Sequence, residues 1–158
     1  MSCQTDRNVT YGDKIHEFQG SFYQVAGGSS ITFTWFTAKL YAEMRCFSGR
    51  KGHLVAINSP EEMSFVQSVI SDQPSYANDA HMNAWIGGVA EYTSSFVWDG
   101  FCGDPVKLDT GYTNWCEGEP SSSNGNSEHC VASHIHGTGC WYDFSCYDRA
   151  NYFVVEYN

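Results

Sequence analysis

Positively charged residues are scarce in this sequence of 158 residues. It contains 8 lysines and arginines against 18 aspartates and glutamates, which gives a formal net charge of -10 at pH 7. A surface with this charge repels phosphate backbones and anionic lipid headgroups. The composition therefore predicts that nucleic acid is not a partner. The surplus of carboxylates suits hard cations such as calcium, which take oxygen ligands.

Long apolar runs are absent as well, and so are the short motifs of common catalytic sites. No stretch approaches the ~18 consecutive apolar residues of a transmembrane helix, so no membrane insertion is predicted. The sequence has no G-x-S-x-G elbow, no phosphate-binding glycine loop and no H-E-x-x-H motif. A glycosidase needs two carboxylates at a defined separation, and nothing in the sequence sets that of Glu119 and Glu128. We therefore expect no enzymatic activity.

Cysteine is plentiful but forms no C-x-x-C pair. Seven cysteines without clear zinc-ligand spacing are typical of disulfides made in an oxidising compartment. Because the number is odd, at least one thiol is free or pairs with another chain. Asn8 begins the sequence Asn-Val-Thr, an acceptor for N-glycosylation. These features predict an extracellular glycoprotein, secreted or on the cell surface.

The first half of the chain predicts two helices. Apolar residues recur every three or four positions over residues 34–47, which indicates an amphipathic helix whose apolar stripe is Phe36, Leu40, Met44 and Phe47. Ser59, Pro60 and Glu62 provide an N-cap, a first-turn proline and a capping-box glutamate, so a second helix is predicted over residues 60–70. The apolar stretch GHLVAI between them is predicted to be a strand.

The second half predicts short strands, at AWIGGV, SFVWDG, HCVASHI and NYFVVEY, separated by turn residues. Helices that come early and strands that come late are typical of an α+β domain with antiparallel pairing. Residues 100–128 form a long segment with little regular pattern. Its cysteines and tryptophans favour an ordered, functional loop.

The order of these segments resembles the C-type lectin-like domain. TWFTAKLYAEMRC followed by GHLVAINSPEE is similar to the first helix, strand and second helix of that fold. AWIGG and FVWDG resemble its central strands, YTNWCEGEP the start of its long ligand-binding loop, and EHCV, WYDFSC and YFVVEY its last three strands. The resemblance implies a domain over residues 20–158, after an N-terminal extension of residues 1–19.

The resemblance also implies a calcium site that binds sugar hydroxyls. Family members hold the ion with a Glu-Pro-Asn or Gln-Pro-Asp motif around a cis proline, a following glutamate and a Trp-Asn-Asp motif. The matching positions here are Glu119, Ser121, Glu128 and Asp143. The expected function is calcium-dependent binding of a carbohydrate or glycoprotein, and Glu119 at the first motif position points to mannose-type ligands.

Two positions depart from the family pattern. Ser121 and Tyr142 stand where the family has asparagines, and calcium needs six to eight oxygen ligands. Asn124 or Asn126, in a loop that is about one residue longer, would have to replace the lost amides. This deficit predicts weak or atypical mannose-type binding. The alternative is a calcium-independent protein-interaction module, forming a homo-oligomer as part of an extracellular coat, adhesin or filament.

The disulfides follow from the same resemblance. It implies a bridge between Cys130 and Cys146, and a second one between Cys102 and Cys116 that would close the long loop. The usual partner of Cys46 lies in the last strand, where this chain has Val155. Cys46 is therefore expected to be free or to pair with Cys3 or Cys140.

Histidines and tryptophans leave two further alternatives open. His134 and His136 would share one face of a strand and could bind zinc, although strand histidines are more often surface residues. Four tryptophans, Trp85, Trp98, Trp115 and Trp141, could stack on a sugar. Most of them fall in segments that resemble core strands of the family, so we expect a core role instead.

Overall fold

The structure is a computed structural model that describes residues 14–28, 30–73, 83–92, 95–100, 106–121 and 129–158. Its helices are α1 (Trp35–Glu43) and α2 (Pro60–Ser71). Its strands are β1 (Ile15–Phe18), β2 (Ser21–Gly27), β3 (Cys46–Phe47), β4 (Arg50–Leu54), β5 (Asn83–Tyr92), β6 (Ser95–Trp98), β7 (Val106–Lys107), β8 (His129–His134), β9 (Trp141–Ser145) and β10 (Tyr152–Tyr157). No helix in these ranges is long and apolar enough to span a membrane.

The strands form one sheet in which β1, β2, β10, β5, β6 and β7 are neighbours in that order. β4 joins this path at β10 and pairs with β3, while β8 joins at β5 and pairs with β9. The pairs described are antiparallel, apart from the parallel contact between β10 and β5. Two helices and a mostly antiparallel sheet confirm the predicted α+β class.

The strand predictions of the second half are confirmed at β5, β6, β8 and β10. The predicted strand GHLVAI is displaced, since β4 covers Arg50–Leu54. Beyond it, Val55 N donates to Val154 O at 3.0 Å and Val55 O accepts from Gly87 N at 2.9 Å. Periodicity did not indicate β1 and β2. β1 pairs with β2, so part of the stretch predicted as an N-terminal extension forms an edge of the sheet.

Local capping signals fix the start of α2. Ser59 is the N-cap, and its Oγ accepts a hydrogen bond from Glu62 N at 3.1 Å. Pro60 takes the first helical position, where a missing N–H costs nothing. The Glu62 carboxylate accepts from the backbone N–H of Asn58 at 2.8 Å, one residue before the cap. The predicted helix is confirmed, with its end one residue later, at Ser71.

The prediction of which face of α1 is buried is wrong. Phe36, Leu40 and Met44 are 42%, 56% and 66% exposed, whereas Trp35 and the alanines Ala38 and Ala42 are buried. Small residues face the sheet because the helix backbone lies against β4, where an added Cβ on Gly52 would be 2.5 Å from Ala42 O. The helix also ends earlier than predicted, at Glu43, and Cys46–Phe47 forms β3.

Two apolar clusters pack on the sheet. The first joins α2 to β2, β5, β6 and β9 and includes Trp98 and Trp141, which are 4% and 0% exposed. The second joins α1 to β5, β8 and β10 and includes Trp85, which is 1% exposed. The predicted core role is therefore confirmed for these three tryptophans. Trp115 is half-buried and packs against the first cluster.

Buried carboxylates link the helix α2 and the strand β10 to the rest of the fold. Glu156 accepts hydrogen bonds from Ala56 N at 3.2 Å and from Asn158 Nδ2 at 3.1 Å. Glu62 accepts one from the Tyr23 hydroxyl at 2.8 Å. Burial raises the pKa of Glu156, and the neighbouring charge of Glu62 raises it further. Because each carboxylate has donors, its burial is compatible with a stable fold.

Candidate functional site

The first part of the long loop is attached to β9. Trp141 N donates to Asn114 O at 2.8 Å, and Cys116 N donates to Trp141 O at 3.0 Å. A disulfide joins Cys116 to Cys140, the residue that precedes β9, with 4.9 Å between the two Cα atoms. These bonds hold the chain from Asn114 to Ser121 next to the strand that carries Asp143.

The disulfide pattern corrects one expectation and bears out another. Cys116 pairs with Cys140 and so cannot pair with Cys102, because the β9 attachment places Cys140 directly beside it. Cys102 itself lies outside the described residues. The bridge between Cys130 and Cys146 is present as the family resemblance implied, and it joins β8 to the residue after β9.

Cys46 is also disulfide-bonded. A free Cys46 thiol and a bond from Cys46 to Cys140 are therefore both wrong, since Cys140 is already paired with Cys116. The remaining alternative was Cys3, which lies outside the described residues.

Two carboxylates from distant parts of the sequence meet at one backbone N–H group. Ser121 N lies 3.0 Å from Glu119 Oε2 and 2.8 Å from Asp143 Oδ1. The Ser121 hydroxyl lies 3.3 Å from the same Asp143 oxygen. The peptide bond between Glu119 and Pro120 is cis, as the family motif implied. Three of the predicted ligand residues, Glu119, Ser121 and Asp143, are thus neighbours in space.

The surroundings of Glu119 and Asp143 favour a proton or a cation beside their carboxyl groups. Asp143 is only 8% exposed, and its Oδ2 lies 3.5 Å from Nδ1 of His129 at the start of β8. Burial raises the pKa of Glu119, and a hydrogen bond to Asp143 raises it further. Two carboxyl groups in contact lower their free energy when a proton or a cation lies between them.

The remaining predicted ligands, Glu128, Asn124 and Asn126, lie outside the described residues and stay predictions, as does glycosylation at Asn8. Within the described ranges no group of three or more His, Cys, Asp or Glu side chains is placed to hold a metal ion. The described part of the site therefore offers two carboxylates and one hydroxyl. These oxygen ligands fit a hard cation, and the set would need further oxygens to complete its shell.

Sequence reasoning missed two contributors to this site. One is the backbone N–H of Ser121, because a peptide group has no signature in the sequence. The other is His129, which the motifs of the calcium site did not include. The available signal was its position next to Glu128, at the start of a predicted strand. That strand, β8, pairs with β9 and brings residue 129 opposite Ser145.

The proposed strand pair of histidines does not form. β8 ends at His134, and His136 lies in the turn that follows, so the two side chains do not share a strand face. The His134 ring instead contacts the Tyr142 ring edge-on, with 4.8 Å between the centroids. Burial lowers the pKa of His134, and the charge of His136 lowers it further.

The structure is a two-helix, mostly antiparallel domain whose disulfide-anchored loop holds carboxylates beside β8 and β9, the arrangement that the family resemblance implied. The comparison with known families agrees. The Lectin C-type domain matches residues 34–156, so the chain belongs to the C-type lectin domain family.

The individual relatives are only distantly similar to this chain in sequence. The chain is 34% identical to rabbit (Oryctolagus cuniculus) E-selectin over 97 residues, which are 60% of this chain and 15% of that protein. It is 30% identical to human C-type lectin domain family 10 member A, over 78% of this chain and 33% of the relative. The chain thus spans a third or less of the length of either. The fold is similar to that of human lithostathine, with a TM-score of 0.69 at 23% identity, over 100% of this chain and 99% of that one.

Proposed function

We propose that this domain binds carbohydrate through one calcium ion held by Glu119, Ser121 and Asp143, with Glu128 and Asn124 or Asn126 completing the ligand set. The observation that carries the proposal is the contact of Glu119 and Asp143 with the same Ser121 N–H, at 3.0 and 2.8 Å. Two carboxylates held this close attract a cation, and carboxylate and hydroxyl oxygens are the ligands that calcium prefers. Membership of a lectin family supports a sugar as the ligand.

Each residue of the proposed site would have a different role in sugar recognition. A bound calcium ion would supply positive charge and coordination positions for two neighbouring sugar hydroxyls. Glu119 and Asp143, as ionised carboxylates, would accept the hydrogens of those hydroxyls. Ser121 would present a hydroxyl that both donates and accepts, in the place where the family motif has an amide that donates. We therefore expect mannose-type recognition that is weaker than with Glu-Pro-Asn.

The proposal is tested with the unmodified protein. Calcium is expected to raise its melting temperature, because a ligand that binds only the folded state stabilises that state. On a glycan array, binding is expected with calcium and to be lost when a chelator is added. If calcium changes neither the melting temperature nor the glycan binding, the proposed function is wrong.

The proposed compartment is extracellular, secreted or at a cell surface. Its support is the pair of disulfides, Cys116 with Cys140 and Cys130 with Cys146, together with the disulfide-bonded state of Cys46. Disulfides persist mainly in oxidising compartments. The partner proposed there is a glycan or a glycoprotein.

A second candidate function is favoured by the apolar surface of α1. Phe36, Leu40 and Met44 are exposed along one face of the helix, and the Phe36 ring contacts that of Tyr147, which is 71% exposed. Exposed apolar patches often mark protein–protein contacts. This surface would suit a calcium-independent interaction module in a coat, adhesin or filament.

Size-exclusion chromatography over a range of concentrations, with and without reductant, tests this second function. Self-association is expected to increase with concentration and to decrease in a Leu40→Glu variant, which places a charge on the apolar face. A monomer at every concentration, in both redox conditions, would contradict it.

A further inference from the structure

A cleft lies on the opposite face of β8 and β9 from the carboxylate pair. Side chains alternate between the two faces of a strand, so Asp143 points to one side, and Tyr142 and Phe144 point to the other. On that second side, β5, β8, β9 and the segment before β10 line an open cleft of about 210 Å³. Its lining includes Asn83, Trp85, Phe144, Asp148 and Arg149.

Phe144 supplies the accessible aromatic surface of this cleft, with the buried Trp85 behind it. Trp85, 1% exposed, meets the half-buried Phe144 ring edge-on, with 6.3 Å between the centroids. Phe144 in turn stacks with Tyr142, at 5.8 Å and an interplanar angle of 29°. The exposed part of the Phe144 ring, held in place by these two contacts, offers apolar contact area of fixed geometry. The C–H groups of a sugar ring can pack against it.

Polar groups of three different kinds stand at the rim. The Asn83 amide both donates and accepts, the Asp148 carboxylate accepts, and the Arg149 guanidinium donates. One Arg149 nitrogen lies 3.4 Å from the Thr32 hydroxyl, and the guanidinium has five N–H donors in all. Adjacent groups of opposite charge give the rim no net charge, which suits a neutral ligand with several hydroxyls.

The backbone around the rim is held in place. Phe33 and Ala150 exchange two backbone hydrogen bonds, of 2.8 and 3.0 Å, and Asp148 N donates to Ser145 O at 2.9 Å. Trp85 Nε1 donates to Phe33 O at 2.7 Å, which ties the floor of the cleft to the same segment. The rim groups therefore project from a fixed frame, as a preorganised binding site requires.

We propose that this cleft binds one neutral pyranose unit of a glycan, without calcium. Its volume is below the range of about 300–1,000 Å³ that is usual for drug-sized ligands, so a single ring is the appropriate size. The combination of the Phe144 ring with amide, carboxylate and guanidinium groups matches the apolar C–H face and the hydroxyls of a pyranose. The proposal does not rest on the calcium site, which lies on the other face of the same strands.

The test is a titration followed by ¹⁵N–¹H NMR in the presence of EDTA, so that calcium-dependent binding is absent. The probes are methyl α-D-mannopyranoside, methyl β-D-galactopyranoside and N-acetylglucosamine. With at least one of them, saturable shifts are expected for the backbone amides of Asn83, Phe144 and Arg149 and for the Trp85 indole N–H. Asn83→Ala and Arg149→Gln are each expected to weaken this binding by about tenfold, the usual effect of one lost hydrogen bond to a charged or well-placed group.

The controls separate the two sites. Asp143→Asn is expected to leave the EDTA-resistant shifts unchanged, and Asn83→Ala is expected to keep the melting temperature and any calcium response of the parent. The proposal is overturned if no probe shifts the cleft resonances, if shifts appear only around Glu119 and Ser121, or if both cleft variants bind as the parent does while remaining folded.

Discussion

Asp143→Asn is expected to abolish the stabilisation of this protein by calcium. The substitution keeps the size of the side chain and an oxygen that can accept from Ser121 N, and it removes one of the two charges that meet at that group. At a calcium concentration 100 times the dissociation constant, the parent should gain about 2.7 kcal/mol. For a domain of this size that corresponds to roughly 5–10 °C in melting temperature. The variant should show little of this shift.

Melting temperatures with and without calcium distinguish the loss of a calcium ligand from destabilisation of the fold. Without calcium, Asp143→Asn is expected to melt at or above the temperature of the parent, because it removes the repulsion between Glu119 and Asp143. Differential scanning fluorimetry with calcium and with chelator measures both quantities. Asp72→Asn is the matched control, since Asp72 is exposed at the end of α2 and should keep the calcium response. A full calcium shift in Asp143→Asn would remove Asp143 from the ligand set.

Trp141→Ala is expected to lower the free energy of unfolding by about 3–5 kcal/mol, the usual range for a large buried aromatic residue. Trp141 is fully buried, and its ring contacts those of Trp98, Tyr112 and Trp115 at centroid distances of 5.4 to 6.0 Å. Its indole N–H also donates to the Met63 sulfur at 3.3 Å. A loss of this size is a large part of the stability of an ordinary domain.

Denaturant unfolding of the parent and the variant measures this loss. Tyr147→Ala serves as the control, because it removes an aromatic ring that is 71% exposed and should change stability by less than about 0.5 kcal/mol. Trp141→Phe, which keeps a ring in the cluster, should fall between the two. Equal effects of Trp141→Ala and Tyr147→Ala would show that the buried Trp141 ring contributes no more to stability than an exposed ring does.

Short-range signals in the sequence predicted much of the fold. The Ser59 cap, Pro60 and Glu62 act within a few residues of each other, and the start of α2 follows from them without any tertiary contact. The apolar runs at β5, β6, β8 and β10 were also sufficient, since each of these strands is largely buried in the sheet. Resemblance to known motifs supplied what local signals lack, namely that Glu119, Ser121 and Asp143 come together in space.

Only the tertiary structure decided which face of α1 is buried. Phe36, Leu40 and Met44 are more hydrophobic than Ala38 and Ala42. The sequence therefore predicted that Phe36, Leu40 and Met44 face the core. The backbone of α1 passes so close to β4 that only small side chains fit between them, as the 2.5 Å from an added Gly52 Cβ to Ala42 O indicates. The distance between two elements is a property of the packed domain, and no periodicity within one element encodes it.

The same reason applies to the contacts that define the two candidate sites. Partners such as Cys116 and Cys140, His129 and Asp143, or Asn83 and Arg149 are brought together by strand register and by attachment of the loop to β9. The sequence by itself determined the capped helix, the main strands and the supply of carboxylates and cysteines, because these depend on neighbouring residues. The tertiary structure decided which of those side chains meet, because pairing across the sheet depends on register between segments far apart in the chain.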